Sequence, residues 1–185
     1  MTKYAVIVVD MLNDFVTGVL KAKRAPRIIP NIQRLLAFAR ENEIPVIYTN
    51  DAHLPGVDKE FQLWGEHAVK GTHGAEVIDE LKPKRGDYVI EKRRYSGFFE
   101  TDLDLLLREL GVDALIFTGI ATNICVQHTM ADAYFRGYKI ILPEDCVESF
   151  SDEEQKYGLD YAKRIYGAEL TSVKNIIEKL RKRKS

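Results

Sequence analysis

Five short runs in this 185-residue chain are apolar almost without interruption, and the stretches between them follow a helical period. The runs are "YAVIVV" (4–9), "PVIYT" (45–49), "DYVIE" (87–91), "ALIFTG" (114–119) and "KIILP" (139–143). Continuous rather than alternating apolarity belongs to strands covered on both faces, as in a parallel sheet. "AELTSV" (168–173) is a weaker sixth strand. The spacing predicts helices over 28–43, 101–111, 123–137 and 151–167. Thr101 is expected to cap the second, Ser151 with Glu154 forms a capping box for the fourth, and Gly111 and Gly137 stop two of them. Strand–helix alternation with short joints predicts a doubly wound three-layer α/β/α sandwich around a mostly parallel sheet of about six strands, as one domain over 1–185. Residues 50–86 show neither period and gather Gly, Pro, His and Trp, which marks a functional segment or undetected short elements.

A formal charge of −1 gives no bias towards nucleic acid. No apolar stretch approaches the ~20 residues of a membrane span. "MTK" leads straight into the first strand without a signal-peptide pattern, and two cysteines do not make a disulfide framework. The chain is therefore expected to be cytoplasmic with reduced thiols. The basic "EKLRKRKS" at 178–185 is expected to be a solvated helix end.

In open α/β sheets, ligands bind beyond the carboxyl ends of the strands. Asp10 follows the first predicted strand, Asp51 and His53 the second, Lys92 the third and Cys125 the fourth. Alone, Asp10 reads as a cap, Lys92 as a surface charge and Cys125 as packing. Together they answer one another. A thiol in the first turn of a helix near Asn123 is favoured as thiolate by the helix dipole. Asp10 can take its proton, Lys92 can hold both anions, and the N–H groups of Ala121 and Cys125 can receive an oxyanion. His128 is a rival base at helical spacing. Cys146, with no helix start beside it, reads as packing.

These residues resemble the isochorismatase-like cysteine hydrolase superfamily, which includes nicotinamidases, N-carbamoylsarcosine amidases and ureidoacrylate amidases. The resemblance runs from "VIVVDMLNDF" through "EKRRYSGFFE" and "GIATNICV" to "ILPEDCVESF". It implies a catalytic triad of Asp10, Lys92 and Cys125 and a cis peptide at Ile120–Ala121. The cysteine argues against the vinyl-ether chemistry of isochorismatase itself. For a nicotinamidase, it also implies a divalent metal ion, Zn²⁺ or else Mn²⁺ or Fe²⁺, held by Asp51, His53, Glu60 and His67, with His73 as a substitute for His67. Ala52 departs from the tryptophan common within that motif, and the loop is shorter than in many members. Phe15, Trp64 and Tyr95 are expected to wall the substrate pocket.

The expected activity is hydrolysis of nicotinamide to nicotinate and ammonia through a cysteine thioester. The alternatives are a metal-independent amidase for a carbamoyl or other small amide, and a non-catalytic binding protein. The expected partner is a small-molecule amide, with neither nucleic acid nor membrane, and a homo-oligomer is expected.

Overall fold

The computed structural model describes residues 2–182. Its strands are β1 (Tyr4–Val9), β2 (Val46–Asp51), β3 (Tyr88–Lys92), β4 (Ala114–Ile120), β5 (Lys139–Pro143), β6 (Val147–Glu148) and β7 (Glu169–Thr171). All pair in parallel, in the order β3-β2-β1-β4-β5-β7, with β6 added against the end of β4. The sheet thus has seven strands rather than about six. The extra one, β6, is two residues long and offers no period for a sequence to reveal.

Alternation along β1 divides the core. Val6 and Val8 face one layer, built with α2 (Ile29–Glu41) and α7 (Val173–Arg181) through Ile32, Leu36, Ile176 and Ile177. Ala5, Ile7 and Val9 face the other, built with α4 (Leu103–Glu109), α5 (Cys125–Phe135) and α6 (Asp152–Tyr166) through Leu103, Val126, Met130 and Ala162. This is the doubly wound three-layer sandwich. Two-sided cover explains the unbroken apolar runs: β2 and β4 are buried along their whole length.

Local differences have local causes. Ser151 caps α6 by accepting from the Glu154 N–H, as expected, and Gly167 closes the helix in the left-handed region. Thr101 serves the start of α4 from one residue before the cap position, which Asp102 takes: its hydroxyl accepts from the Leu103 N–H at 3.3 Å and donates to the Gly97 carbonyl at 2.6 Å. The sixth predicted strand stops at Thr171, since Ser172 caps α7 by accepting from the Asn175 N–H. The 50–86 segment holds α3 (Phe61–Trp64), two single turns of tighter helix, and a short antiparallel bridge from Leu12 to Val77. The short α1 (Asn13–Val16) follows β1. Among the described residues no helix is long and apolar enough to cross a membrane. The basic run is helical through Arg181, and residues 183–185 lie outside the described residues.

Candidate active site

The chain leaves β1 and β4 for opposite sides of the sheet, opening a crevice at their carboxyl ends. Asp10 stands there with φ 51°, and its N–H is held by the Thr49 carbonyl at 3.2 Å. Parallel register sets Asp51 beside Lys92. The Lys92 side chain is fully buried, and Nζ lies 2.8 Å from Asp10 Oδ2 and 2.5 Å from Asp51 Oδ1. The Asp51 N–H donates to Asp10 Oδ1 at 2.8 Å. Cys125 Sγ completes the group: one ligand atom each from Asp10, Asp51 and Cys125 lie within 4.8 Å of one another.

Two buried carboxylates share one buried ammonium, so the charges do not cancel. Burial, and then the Asp51 charge, raise the Asp10 pKa to about 6 against the pull of Lys92. Burial also opposes ionisation of Asp51, but Lys92 and His53 outweigh it and hold Asp51 below the usual carboxylate range. Lys92 keeps its proton because the two carboxylates outweigh its burial. The Cys125 thiol is pushed well up, first by burial and further by Asp10 and Asp51, despite Lys92. Burial and the two carboxylates thus oppose the anion that the helix start favours. Cys125 does open α5, but one helix end does not offset burial beside two carboxylates. The direction favours a neutral thiol beside the Asp10 carboxylate.

The turn that presents Cys125 is tightly made. Gly119 has φ 104°, and a Cβ there would stand 2.0 Å from the Val9 carbonyl oxygen, so β4 approaches β1 closer than any side chain permits. The Ile120–Ala121 peptide is cis, as the resemblance implies. The Ala121 carbonyl accepts from the N–H groups of Ile124 and Val126, passing over that of Cys125. Thr129, one turn into α5, donates to the Cys125 carbonyl at 2.7 Å and accepts from the Gly97 N–H at 3.0 Å.

Asp51, His53 and His67 form a second group, with one ligand atom from each within a 4.8 Å span. His53 Nδ1 lies 3.1 Å from Asp58 Oδ2, and His67 Nδ1 donates to the Gly65 carbonyl at 2.8 Å. Both contacts leave Nε2 as the outward nitrogen. His53 Nε2 and both oxygens of Glu60 are buried without a hydrogen-bond partner, and Glu60 Oε2 is 3.7 Å from His53 Nε2. Burial lowers the His53 pKa, but Asp51, Asp58 and Glu60 outweigh it and raise it, as a negative basin does. Two free imidazole nitrogens and carboxylate oxygens fit a borderline divalent cation such as Zn²⁺, Mn²⁺ or Fe²⁺. Glu60 sits at the edge of this set rather than within the three-residue group. His73 does not replace His67: it is exposed and pairs with Glu76.

Asp10, Cys125, Asp51, Glu60 and His67 open on one cleft. Phe15, Trp64 and Tyr95 line it as expected, and the Trp64 indole N–H donates to the Tyr95 hydroxyl at 3.0 Å. Among the described residues no lysine or arginine lines it, since Lys92 lies behind the carboxylates. Leu20, Ile120, Ile124 and Phe150 complete the walls unanticipated, and Leu20 and Phe150 lie in connections without a period to flag them. Asp58 was also missed. It accepts from the Leu54 N–H at 3.0 Å and from the Arg93 guanidinium, and only its place five residues after His53 hinted at a role. The rival base His128 is exposed and its Nδ1 lies 2.7 Å from the Ile124 carbonyl oxygen. Cys146 is packed in the core, where burial raises its thiol pKa.

The isochorismatase domain model matches residues 4–175. An uncharacterized isochorismatase family protein, YaaI of Bacillus subtilis, is 38% identical over 95% of this chain and 97% of its own. The ureidoacrylate amidohydrolase RutB of Pantoea ananatis is 36% identical over 80% of this chain and 70% of its own. Among solved structures, N-carbamoylsarcosine amidase from Thermoplasma acidophilum is 43% identical with a TM-score of 0.87, covering 93% of this chain and 97% of that one. Nicotinamidase PncA from Bacillus subtilis is 34% identical with a TM-score of 0.88, covering 92% and 100%. A pyrazinamidase of Pyrococcus horikoshii in complex with zinc is 29% identical with a TM-score of 0.85, covering 92% and 99%.

Proposed function

The chain belongs to the isochorismatase family of hydrolases, and from that premise we propose that it is a nicotinamidase, hydrolysing nicotinamide to nicotinate and ammonia through a thioester on Cys125. One observation carries the reading. Asp51 and His67 line the same aromatic-walled cleft as the thiol, and buried His53 stands behind them with a ligand atom within 4.8 Å of each.

Cys125 Sγ attacks the carboxamide carbon while its proton passes to Asp10. A pKa of about 6 suits that carboxylate, which is ionised at neutral pH yet able to hold a proton during the reaction. Lys92 stays charged and offsets the anion that moves between Asp10 and sulfur. The Ala121 and Cys125 N–H groups receive the tetrahedral oxyanion. Asp10 returns the proton to the leaving nitrogen, ammonia departs, and the acyl group remains on sulfur. Asp10 then takes a proton from water as its oxygen attacks the thioester, and collapse releases nicotinate and restores the thiol. A divalent cation held by Asp51, His53 and His67, with Glu60 at its side, supplies a Lewis-acid contact for a ring nitrogen when bound. Phe15, Trp64 and Tyr95 present flat surfaces to a planar ring.

A second reading, a metal-independent amidase for a carbamoyl or ureido compound, draws on the likeness to N-carbamoylsarcosine amidase and RutB. Both of those substrates carry a carboxylate. The cleft presents Asp10, Asp51 and Glu60 and no cationic side chain, which disfavours an anion and suits a neutral amide. Ammonia release from nicotinamide, pyrazinamide, N-carbamoylsarcosine and ureidoacrylate, with and without added Zn²⁺ or Mn²⁺, tests the choice. Turnover of nicotinamide that rises with metal supports the first reading. Turnover of only the anionic substrates, unaffected by chelator, replaces it with the second.

A further inference from the structure

Exposure separates the floor of the cleft from its rim. Asp10, Asp51, His67, Ala121 and Cys125 are buried, whereas Trp64 and Phe150 are each 38% exposed and Leu20 is half-buried. Leu20 comes from the loop between α1 and α2, and Phe150 from the short connection between β6 and α6. Each wall is tied to its own support. The Leu20 and Ala22 N–H groups donate to the carbonyls of Asp14 and Phe15 at 2.9 and 2.7 Å. On the other segment, the Glu148 carbonyl accepts from the Thr122 N–H at 3.0 Å, and the Ser149 hydroxyl donates to Asn123 Oδ1 at 2.5 Å. These bonds fasten Leu20 to α1 and Phe150 to the turn before Cys125.

Arg24 runs between the two. Four residues after Leu20, its Nε lies 3.0 Å from Glu148 Oε1 and its Nη1 lies 2.6 Å from Asp152 Oδ1. Those acids stand two residues before and two residues after Phe150, so one guanidinium bridges both ends of the segment that brings this ring to the cleft. The ends differ. Glu148 is buried and Asp152 exposed, so the inner ion pair is shielded from solvent while the outer one is screened. A buried carboxylate holds on to its cation, because losing it leaves an uncompensated charge. A planar, always-charged guanidinium can keep two acids in one fixed geometry, which a single ammonium cannot. We infer that Arg24 is a positioning residue for specificity: by clasping Glu148 and Asp152 it holds the Leu20 and Phe150 walls together at the mouth and limits Cys125 to compact amides, shutting out those whose acyl group carries fused rings or a long chain. The inference rests on the reading of Cys125 as an amidase nucleophile and adds to it the size of the acyl group admitted.

Alkylation of Cys125 tests the clasp without depending on turnover. Iodoacetamide and pyrene iodoacetamide carry the same reactive group, both are neutral, and they differ in width; peptide mass mapping separates adducts on Cys125 from those on Cys146. The ratio of the two rates cancels any change in the reactivity of the thiol itself. Arg24→Gln should raise the rate with the pyrene reagent about tenfold more than the rate with iodoacetamide, and should leave Cys146 unlabelled. Arg24→Lys, which keeps the charge but not the fork, should fall between this variant and wild type. Asp152→Asn removes only the exposed partner and should give the same selective rise at about twofold, which decides the matter if Arg24→Gln does not fold. An unchanged ratio in a folded variant overturns the inference. So does an equal rise for both reagents or labelling of Cys146, since either marks general loosening rather than an opened mouth. A chain inert towards nicotinamide that still shows the selective rise would sink the nicotinamidase reading and leave the clasp standing.

Discussion

Asp58 Oδ2 lies 3.1 Å from His53 Nδ1, and this contact decides which imidazole nitrogen faces Asp51 and Glu60. Asp58 is fixed in turn by the Leu54 N–H and the Arg93 guanidinium. With the proton held on Nδ1, Nε2 is left with its lone pair towards Asp51 and Glu60. Asp58→Ala is therefore expected to weaken metal binding by about 10–100-fold with all ligands still present. Competition titration of Zn²⁺ against a chromophoric chelator measures it. An unchanged affinity would show that His53 needs no such orientation.

Lys92 faces two buried carboxylates at hydrogen-bond distance. Lys92→Met should abolish turnover and cost about 3–5 kcal/mol of stability at pH 7, because it leaves buried charge uncompensated. The loss should shrink as pH falls, since Asp10 and Asp51 can then fold protonated. Urea unfolding of both proteins at pH 7 and pH 5 checks the magnitude and the sign.

Asp10 acts as base only when ionised. Burial and Asp51 raise its pKa to about 6, so kcat/KM of the cation-free enzyme should fall about tenfold per pH unit below that value. A divalent cation beside Asp51 favours the carboxylate form and should move this acid limb to lower pH. Profiles measured with chelator and with saturating metal give the comparison, and a shift to higher pH would contradict the electrostatics.

Gly119→Ala should prevent folding or cost on the order of 3 kcal/mol or more, since the new methyl group would stand 2.0 Å from the Val9 carbonyl oxygen at φ 104°. Soluble yield and thermal melting test it. The same change at Gly137, where an added Cβ meets nothing within 4 Å, should be milder.

The layers of the fold and the meeting of Asp10, Lys92 and Cys125 were legible because each rests on periodicity and strand ends. Buried strands declare themselves by unbroken apolarity, and whatever follows them must gather at one edge. The resting state of Cys125 was not legible. It depends on how many charges share how much buried volume, and a helix start is only one contribution. Asp58, Phe150 and Leu20 were hidden for another reason. They come from irregular connections, where position is fixed by tertiary contacts rather than by a repeat. Thr101 does accept from the first N–H of α4, at Leu103, but one residue ahead of the cap position, a one-residue boundary that the sequence pattern does not resolve.

The most direct test is ammonia release from nicotinamide by wild type, Cys125→Ala and Cys146→Ala. Wild type and Cys146→Ala should turn over at comparable rates, and the wild-type chain should carry a nicotinoyl group on Cys125 after rapid acid quench. Cys125→Ala should lose turnover by a factor of about a thousand or more, as removal of a covalent nucleophile does. Undiminished release by Cys125→Ala would contradict the account.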